Sequence, residues 1–185
     1  MKQLVFLLEE PSMKELLDII LPKILPNDVM FLTIPHEGKS DLEKSIPRKL
    51  RAFRTPDTKF VVLRDQDSWD CHLVKDRLVT LCAEGGRPDT LVRVVCHELE
   101  SWFLGDLLAV EAGCKITGIS RLQEKVKYRN PDDIARPCEE LMRLVPDYQK
   151  LSGARDIAEH LNIENNRSTS FRIFVSGVRR MTCAS

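Results

Sequence analysis

Lys59-Phe60-Val61-Val62-Leu63-Arg64-Asp65-Gln66-Asp67 carries an apolar run straight into two carboxylates spaced i, i+2. A short apolar run with β-branched members, bounded by polar residues, suits a strand buried on both faces of a parallel sheet. Open α/β sheets bind ligands in the crevice beyond the carboxyl ends of their strands. Asp65 and Asp67 are therefore expected at the mouth of a site. If the chain stays extended they share a face, because side chains repeat every two residues along a strand. The competing reading makes Asp67 the N-cap of the next helix.

The start of the chain repeats the signature. Leu4-Val5-Phe6-Leu7-Leu8 is a second buried-strand run, and it ends in Glu9-Glu10. Ser12 and Glu15 follow with capping-box spacing. Folded together, the two strands would bring up to four carboxylates into one crevice. Two such charges about 4 Å apart repel by roughly 4 kcal/mol where the effective dielectric is about 20. The cluster must hold a hard cation, or keep protons, or be spread apart.

Elsewhere the pattern alternates. A helix is expected over 12–25, punctuated by Pro22 and Pro26, then a strand over 29–34 and the polar loop His36-Glu37-Gly38-Lys39. Ser40 and Glu43 form another capping box, opening a basic helix to about Phe53 that Pro47 bends or interrupts. A helix over 70–84 stops at Gly85-Gly86. Thr90–Cys96 reads as a fourth strand, running into His97-Glu98-Leu99-Glu100. Ser101–Val110 reads as a buried helix containing Asp106. This β-α-β-α-β-α-β order predicts an α/β sandwich with a mainly parallel sheet. We read one domain over 1–185: a core of about 1–112 and a helical C-terminal extension of about 113–185. In the extension, Asn130-Pro131-Asp132-Asp133 opens a helix and Ser152-Gly153-Ala154-Arg155 precedes another reaching about Leu161. Ser168–Met181 forms a last amphipathic helix with Phe171, Phe174 and Val178 on its apolar face.

Lys+Arg and Asp+Glu balance at 28 each, so net charge argues neither for nor against a polyanionic partner. Basic residues do cluster at Arg48, Lys49, Arg51 and Arg54, where they are candidates for holding nucleic acid, with solvated helix face as the plainer reading. The six cysteines, Cys71, Cys82, Cys96, Cys114, Cys138 and Cys183, show no zinc-type spacing. Leu4–Leu8 is too short for a signal peptide, and no run approaches the roughly 20 apolar residues of a membrane span. A cytoplasmic protein fits these features.

Acids after the first, third and fourth strands (Glu9/Glu10, Asp65/Asp67, Glu98/Glu100) point to Mg²⁺ or Mn²⁺, which favour oxygen ligands with water completing the shell. A glutamate after strand one and an Asp-x-Asp after strand three resemble the acidic signature of Toprim domains, found in topoisomerases, primases and the overcoming-lysogenization-defect nucleases. The resemblance extends through Leu8-Glu9-Glu10-Pro11-Ser12, Ile34–Lys39, Asp41–Leu50, Val62–Asp67, Glu98–Trp102, Ser152–Arg155 and Asn166-Arg167-Ser168. Together these are similar to a bacterial Toprim-like family of unassigned function, often encoded beside AAA-type ATPases in defence-like loci. The resemblance implies a metal-dependent nuclease-like site. In it Glu9 or Glu10 matches the Toprim glutamate, Asp65 and Asp67 match the Asp-x-Asp pair, and Glu98 and Glu100 correspond to an additional acid of the nuclease branch. Many Toprim domains carry a glycine soon after the glutamate; here Pro11-Ser12 follows directly, a departure from the topoisomerase and primase loop.

On this reading two ions about 4 Å apart would serve an in-line phosphodiester displacement. Lys150 and Arg155, flanking a Ser-Gly turn, would neutralise the phosphate, and a surface helix start is the alternative. His97 is a candidate proton shuttle or a structural histidine, and His36 lies after strand two near the crevice. Trp69 and Trp102 are candidates for stacking on bases, with Trp102 better placed as core. Two rivals stand beside the nuclease. A receiver-type phosphoacceptor needs a hydroxyl residue ending strand four and a lysine ending strand five, and strand four here ends Cys96-His97-Glu98. A non-catalytic partner subunit that regulates an ATPase would keep the fold without the chemistry. The sequence leaves DNA against RNA and homo-oligomer formation open.

Overall fold

All four apolar runs become parallel strands in the computed structural model, which describes residues 2–182. They are β1 (Gln3–Leu8), β2 (Met30–Pro35), β3 (Thr58–Asp65) and β4 (Leu91–Val95), in the order β2-β1-β3-β4. β1 pairs with both β2 and β3, and β3 pairs with β4. The central strands β1 and β3 carry unbroken apolar runs, buried on both sides. The edge strand β2 also carries an apolar run, Met30-Phe31-Leu32, but Met30 and Leu32 are exposed.

Between them run α1 (Pro11–Ile24), α2 (Lys39–Ala52) and α3 (Cys71–Glu84). Leu42, Ile46 and Leu50 of α2 and Val74, Leu78 and Leu81 of α3 cover the face carrying Val5, Leu7, Phe60 and Val62. The other face carries Leu4, Phe6, Leu8, Val61 and Leu63, and α1 packs on it. So do the C-terminal helices. After β4 come α4 (Glu100–Leu104), α5 (Leu107–Cys114), three 3-10 turns (Ser120–Glu124, Val126–Tyr128, Pro131–Asp133), α6 (Pro137–Leu144), α7 (Lys150–His160) and α8 (Thr169–Thr182). α7 lies against α1 and α5, and α8 against β4 and α1. Phe171 and Phe174 each sit 5.1 Å, centroid to centroid, from Trp102. The C-terminal helices thus build one face of the core.

Helix starts depart from the capping boxes. α1 begins at Pro11, whose fixed φ and missing N–H suit the first helical position. Ser12 donates instead to the Glu10 carboxylate, and Glu15 pairs with Arg155. α2 begins after Gly38, at φ +92° and ψ 178°, a backbone shape open to glycine. Glu43 therefore serves no cap and turns to Arg64 at 2.6 Å. Asp70, not Asp67, caps α3 by accepting from His72 N–H and Leu73 N–H. Pro47 leaves α2 continuous.

The helix expected over 101–110 divides at Gly105, and Asp106 caps its second half by accepting from Ala109 N–H. A Cβ at Gly105 would collide with the Asn166 side chain, which donates to the Trp102 carbonyl at 2.8 Å. Asn130–Asp133 forms a 3-10 turn rather than a helix start. Ser152-Gly153-Ala154-Arg155 lies inside α7, not before it. No helix among the described residues is long and apolar enough to cross a membrane. Cys71, Cys82, Cys96, Cys114 and Cys138 are free thiols, and Cys183 lies outside the described residues.

Candidate functional site

Parallel pairing sends the carboxyl ends of β1, β3 and β4 to one edge. Leu8 is in register with Leu63, and Asp65 with Val95. Backbone bonds then lock the loops that follow: Gly38 N–H donates to the Glu9 carbonyl at 2.9 Å, and Asp67 N–H to the His97 carbonyl at 2.7 Å. Glu9 reaches across the edge, its Oε2 accepting from Asp65 N–H at 3.0 Å. Burial raises its pKa, while the Asp65 N–H opposes that rise.

Asp65 is 5% exposed, and its Oδ1 has no hydrogen-bond partner. Burial pushes its pKa well above the usual carboxylate range, and Glu10, Glu9 and Glu100 push it further. Glu100 is fully buried, with a pKa also raised by burial. One of its oxygens accepts from Tyr148 Oη at 3.1 Å, and the other, Oε2, is unpartnered. Lys150, the first residue of α7, brings a cation into this group, with Nζ 3.8 Å from Glu10. Burial alone would lower the Lys150 pKa, but Glu100 and Glu10 hold it above its ordinary value.

Asp67 leaves this group. β3 ends at Asp65, and Asp67 adopts φ +56°, so the extended geometry that would align the two carboxylates stops one residue too early. Its carboxylate instead meets Lys39 at 3.2 Å, at the start of α2. Beside it lies Arg64, whose side chain alternates to the opposite face of β3 from Asp65 and is 6% exposed. Arg64 Nη1 bonds Glu43 at 2.6 Å and its Nε lies 3.8 Å from Glu9. The edge therefore has two sides: Asp65, Glu10, Glu100, Tyr148 and Lys150 on one, and Glu9, Asp67, Arg64, Glu43 and Lys39 on the other.

Other candidates lie elsewhere. Glu98 borders the first side, close enough to raise the Glu100 pKa, but its Oε2 accepts from Cys138 N–H at 2.9 Å. Arg155 is drawn to Glu15 at 2.6 Å, clipping α7 to α1. The basic cluster runs away from the crevice, because α2 leaves the acidic edge at Lys39 and reaches Arg51 roughly 18 Å further on. Arg51 caps the end of α3 through the Glu84 carbonyl at 2.8 Å, Lys49 holds His36 at 2.8 Å, Arg48 lies 3.5 Å from Ser45, and Arg54 follows the end of α2. His36 is a clamp: Nδ1 donates to the Leu8 carbonyl at 2.8 Å and Nε2 accepts from Lys49. Burial lowers its pKa. His97, at φ +56°, pins two loops through the Asp67 carbonyl at 3.3 Å. Trp102 is core, bonded to Ser170 at 2.8 Å, whereas Trp69 is 59% exposed. The largest cavity, about 780 Å³ and lined by residues of the 126–143 region, touches none of the crevice acids.

Arg64, Glu43, Lys39 and Tyr148 were missed as site residues. Arg64 did carry a signal, a charge lodged in an otherwise apolar strand; Tyr148 carried none.

The residues on the first side fit a hard cation. Asp65, Glu10, Glu100 and Tyr148 offer oxygen donors, with the Lys150 ammonium as a competing cation, and two buried carboxylate oxygens, Asp65 Oδ1 and Glu100 Oε2, lack partners. Among the described residues no three His, Cys, Asp or Glu side chains already converge as a metal-holding group. Lys150 occupies part of the space between the acids as their counter-charge.

No curated protein matches the chain, and no solved structure does. A family model does match, that of the domain of unknown function DUF4276, over residues 8–179. With nearly the whole length matched, the chain belongs to the DUF4276 family.

Proposed function

We propose that the carboxylate edge binds Mg²⁺ or Mn²⁺ and hydrolyses phosphodiester bonds of nucleic acid, as the nuclease subunit of a system with an AAA-type ATPase partner. The observation that carries this is the pair of buried, unpartnered oxygens, Asp65 Oδ1 and Glu100 Oε2, beside Glu9 and Glu10. The resemblance of Glu9 or Glu10, Asp65 and Asp67 to the Toprim signature supplies the reaction class, and the wider family resemblance the ATPase partner. Missing from the described residues are a fifth strand and a hydroxyl residue at the end of β4, the features a receiver-type phosphoacceptor needs.

Asp65, Glu100 and Glu10 are the ligands we assign, with Glu9 holding the Asp65 backbone in place. Bound ions would polarise the phosphate and lower the pKa of a bound water. The side chains assigned to the edge are carboxylates that serve as ion ligands, so water is the nucleophile we assign. Lys150 neutralises the acids in the metal-free protein and, once ions displace it from Glu10, is free to turn toward a phosphate oxygen. Lys39 and Arg64 stand on the opposite side with charge for the same polyanion.

That internal neutralisation by Lys150 also favours a second reading, a regulatory subunit that has lost its ions. One comparison separates the two. Wild type and Asp65→Asn are assayed for Mn²⁺-dependent cleavage of single-stranded DNA and RNA, alone and with a candidate AAA-type ATPase partner. Loss of cleavage in Asp65→Asn with nucleic-acid binding retained supports catalysis here; equal cleavage by both assigns the chemistry to the partner. Mn²⁺ should also raise the wild-type melting temperature, because a ligand bound only by the folded state stabilises it, and Asp65→Asn should lose most of that shift.

A further inference from the structure

On the Arg64 side of the acidic edge, the first turns of α2 and α3 enclose a cavity of about 390 Å³. Lys39, Arg64 and Arg77 line it with Glu43. Lys39 pairs with Asp67 at 3.2 Å and Arg77 with Glu43 at 3.4 Å, but both side chains are about half exposed and keep further N–H groups for a phosphate. Trp69 and Leu73 form its apolar wall, and both are largely exposed, at 59% and 67%. A flat aromatic surface left in water beside guanidinium and ammonium groups suits a π-faced ligand carrying negative charge. α2 begins at the cavity with no side chain capping its first N–H groups, whereas Asp70 already occupies those of α3.

Arg64 joins the cavity to the sheet edge. Its side chain is 6% exposed and lines the cavity, with Nη1 held by Glu43 at 2.6 Å and Nε facing Glu9 at 3.8 Å. The cavity is also tied to the acids. Lys39 pairs with Asp67, and Arg64 reaches Glu9. A phosphate held by Lys39 or Arg64 would therefore lie next to the carboxylate edge.

We infer that this cavity takes one unpaired nucleotide of a single nucleic-acid strand, its base stacked on Trp69 and its phosphate held by Lys39, Arg64 and Arg77. Resting on the nucleic-acid reading above, this adds how the strand is gripped: by a stacked, unpaired base beside the site of hydrolysis. A continuous duplex is excluded, because neighbouring base pairs stack on both faces of each base and leave none for the indole.

The test uses the full chain in chelator, so that binding is read without cleavage. The chain has two tryptophans, and Trp102 is fully buried, so a ligand-induced change in emission reports Trp69. A short single-stranded thymidine oligonucleotide should quench that emission. By anisotropy, Trp69→Ala should bind it about tenfold more weakly, within the range set by stacking aromatics, and Trp69→Phe should bind nearly as wild type. Arg77→Ala should weaken binding and lower the salt slope by about one. Asp65→Asn should keep the quench while losing cleavage, so the two proposals fail separately. Unaltered binding in Trp69→Ala, or binding without quenching, overturns the cavity and leaves hydrolysis standing. Equal affinity for the duplex or for thymidine monophosphate overturns the single-strand assignment. No oligonucleotide binding at all overturns the inference too, and the Mn²⁺ melting shift still judges the metal site.

Discussion

Asp65 is a carboxyl whose ionisation folding opposes. Burial and then Glu10, Glu9 and Glu100 raise its pKa, whereas the unfolded chain releases the proton near about 3.9. Between those values the folded state binds more protons than the unfolded, so stability falls as pH rises. Glu9 and Glu100, both raised by burial, act in the same sense. Glu140 acts in the other. Burial raises its pKa, but hydrogen bonds from Arg143, Lys127 and Tyr128 outweigh that and hold it at about 2. Its contribution is complete above its ordinary 4.5 and is lost only as pH falls toward 2. In metal-free buffer these carboxyls should therefore raise the melting temperature as pH is lowered toward their unfolded values of about 4, while His36, whose pKa burial lowers, opposes them below its ordinary 6.5. Asp65→Asn should flatten that rise and stabilise the metal-free protein at the upper pH. Superimposable pH profiles for the two proteins would show that another group titrates. Of this behaviour the chain reveals the acid and its strand end; the neighbours that raise its pKa come from distant segments.

At the scale of elements, α7 decides how the crevice is backed. Gly153 sits on its buried face, where an added Cβ would collide with the Tyr148 ring, Cζ lying at 3.3 Å. Tyr148 is the hydrogen-bond donor to Glu100. Gly153→Ala should push the ring aside, cost about 1–3 kcal/mol by overpacking, and leave Glu100 without its donor. Urea denaturation would measure it, and an unchanged midpoint would mean that the ring yields freely. A second glycine, Gly113 of α5, meets the α7 backbone at Asp156, 2.6 Å from an added Cβ, so these helices touch main chain to main chain. Ser152-Gly153 reads as a turn in sequence because glycine more often ends helices than packs inside them. Only the neighbouring ring explains it.

For the whole molecule, the C-terminal helices are not an appendage. Phe171, Phe174 and Val178 of α8 are fully buried and cover the sheet face that carries Phe6 and Val61. A chain ending at residue 114 would uncover the part of that face that α1 does not cover, along with Trp102 and the side of α1 that meets α7. Losing even one such aromatic side chain costs about 3–5 kcal/mol, comparable with much of a domain's total stability. The shortened chain should show no cooperative thermal transition by circular dichroism, and a cooperative melt would refute this. The same helices deliver Lys150 and Tyr148 to the acids, so core and site depend on one packing event.

Taken alone, the sequence determined the four strands, their alternation with helices, and an edge where Glu9, Asp65 and Glu100 gather. Apolar runs and helical spacing are local signals, and successive βαβ units send every strand's carboxyl end the same way. Tertiary structure decided which acids meet. A left-handed residue at Asp67 turned it toward Lys39, alternation along β3 sent Arg64 to the face opposite Asp65, and the run of α2 carried Arg51 and Arg54 away. Lys150 arrived, and Arg155 did not, because one stands at the first turn of α7 and the other is clipped to Glu15. Such pairings rest on contacts between segments far apart in the chain, and no local period encodes them.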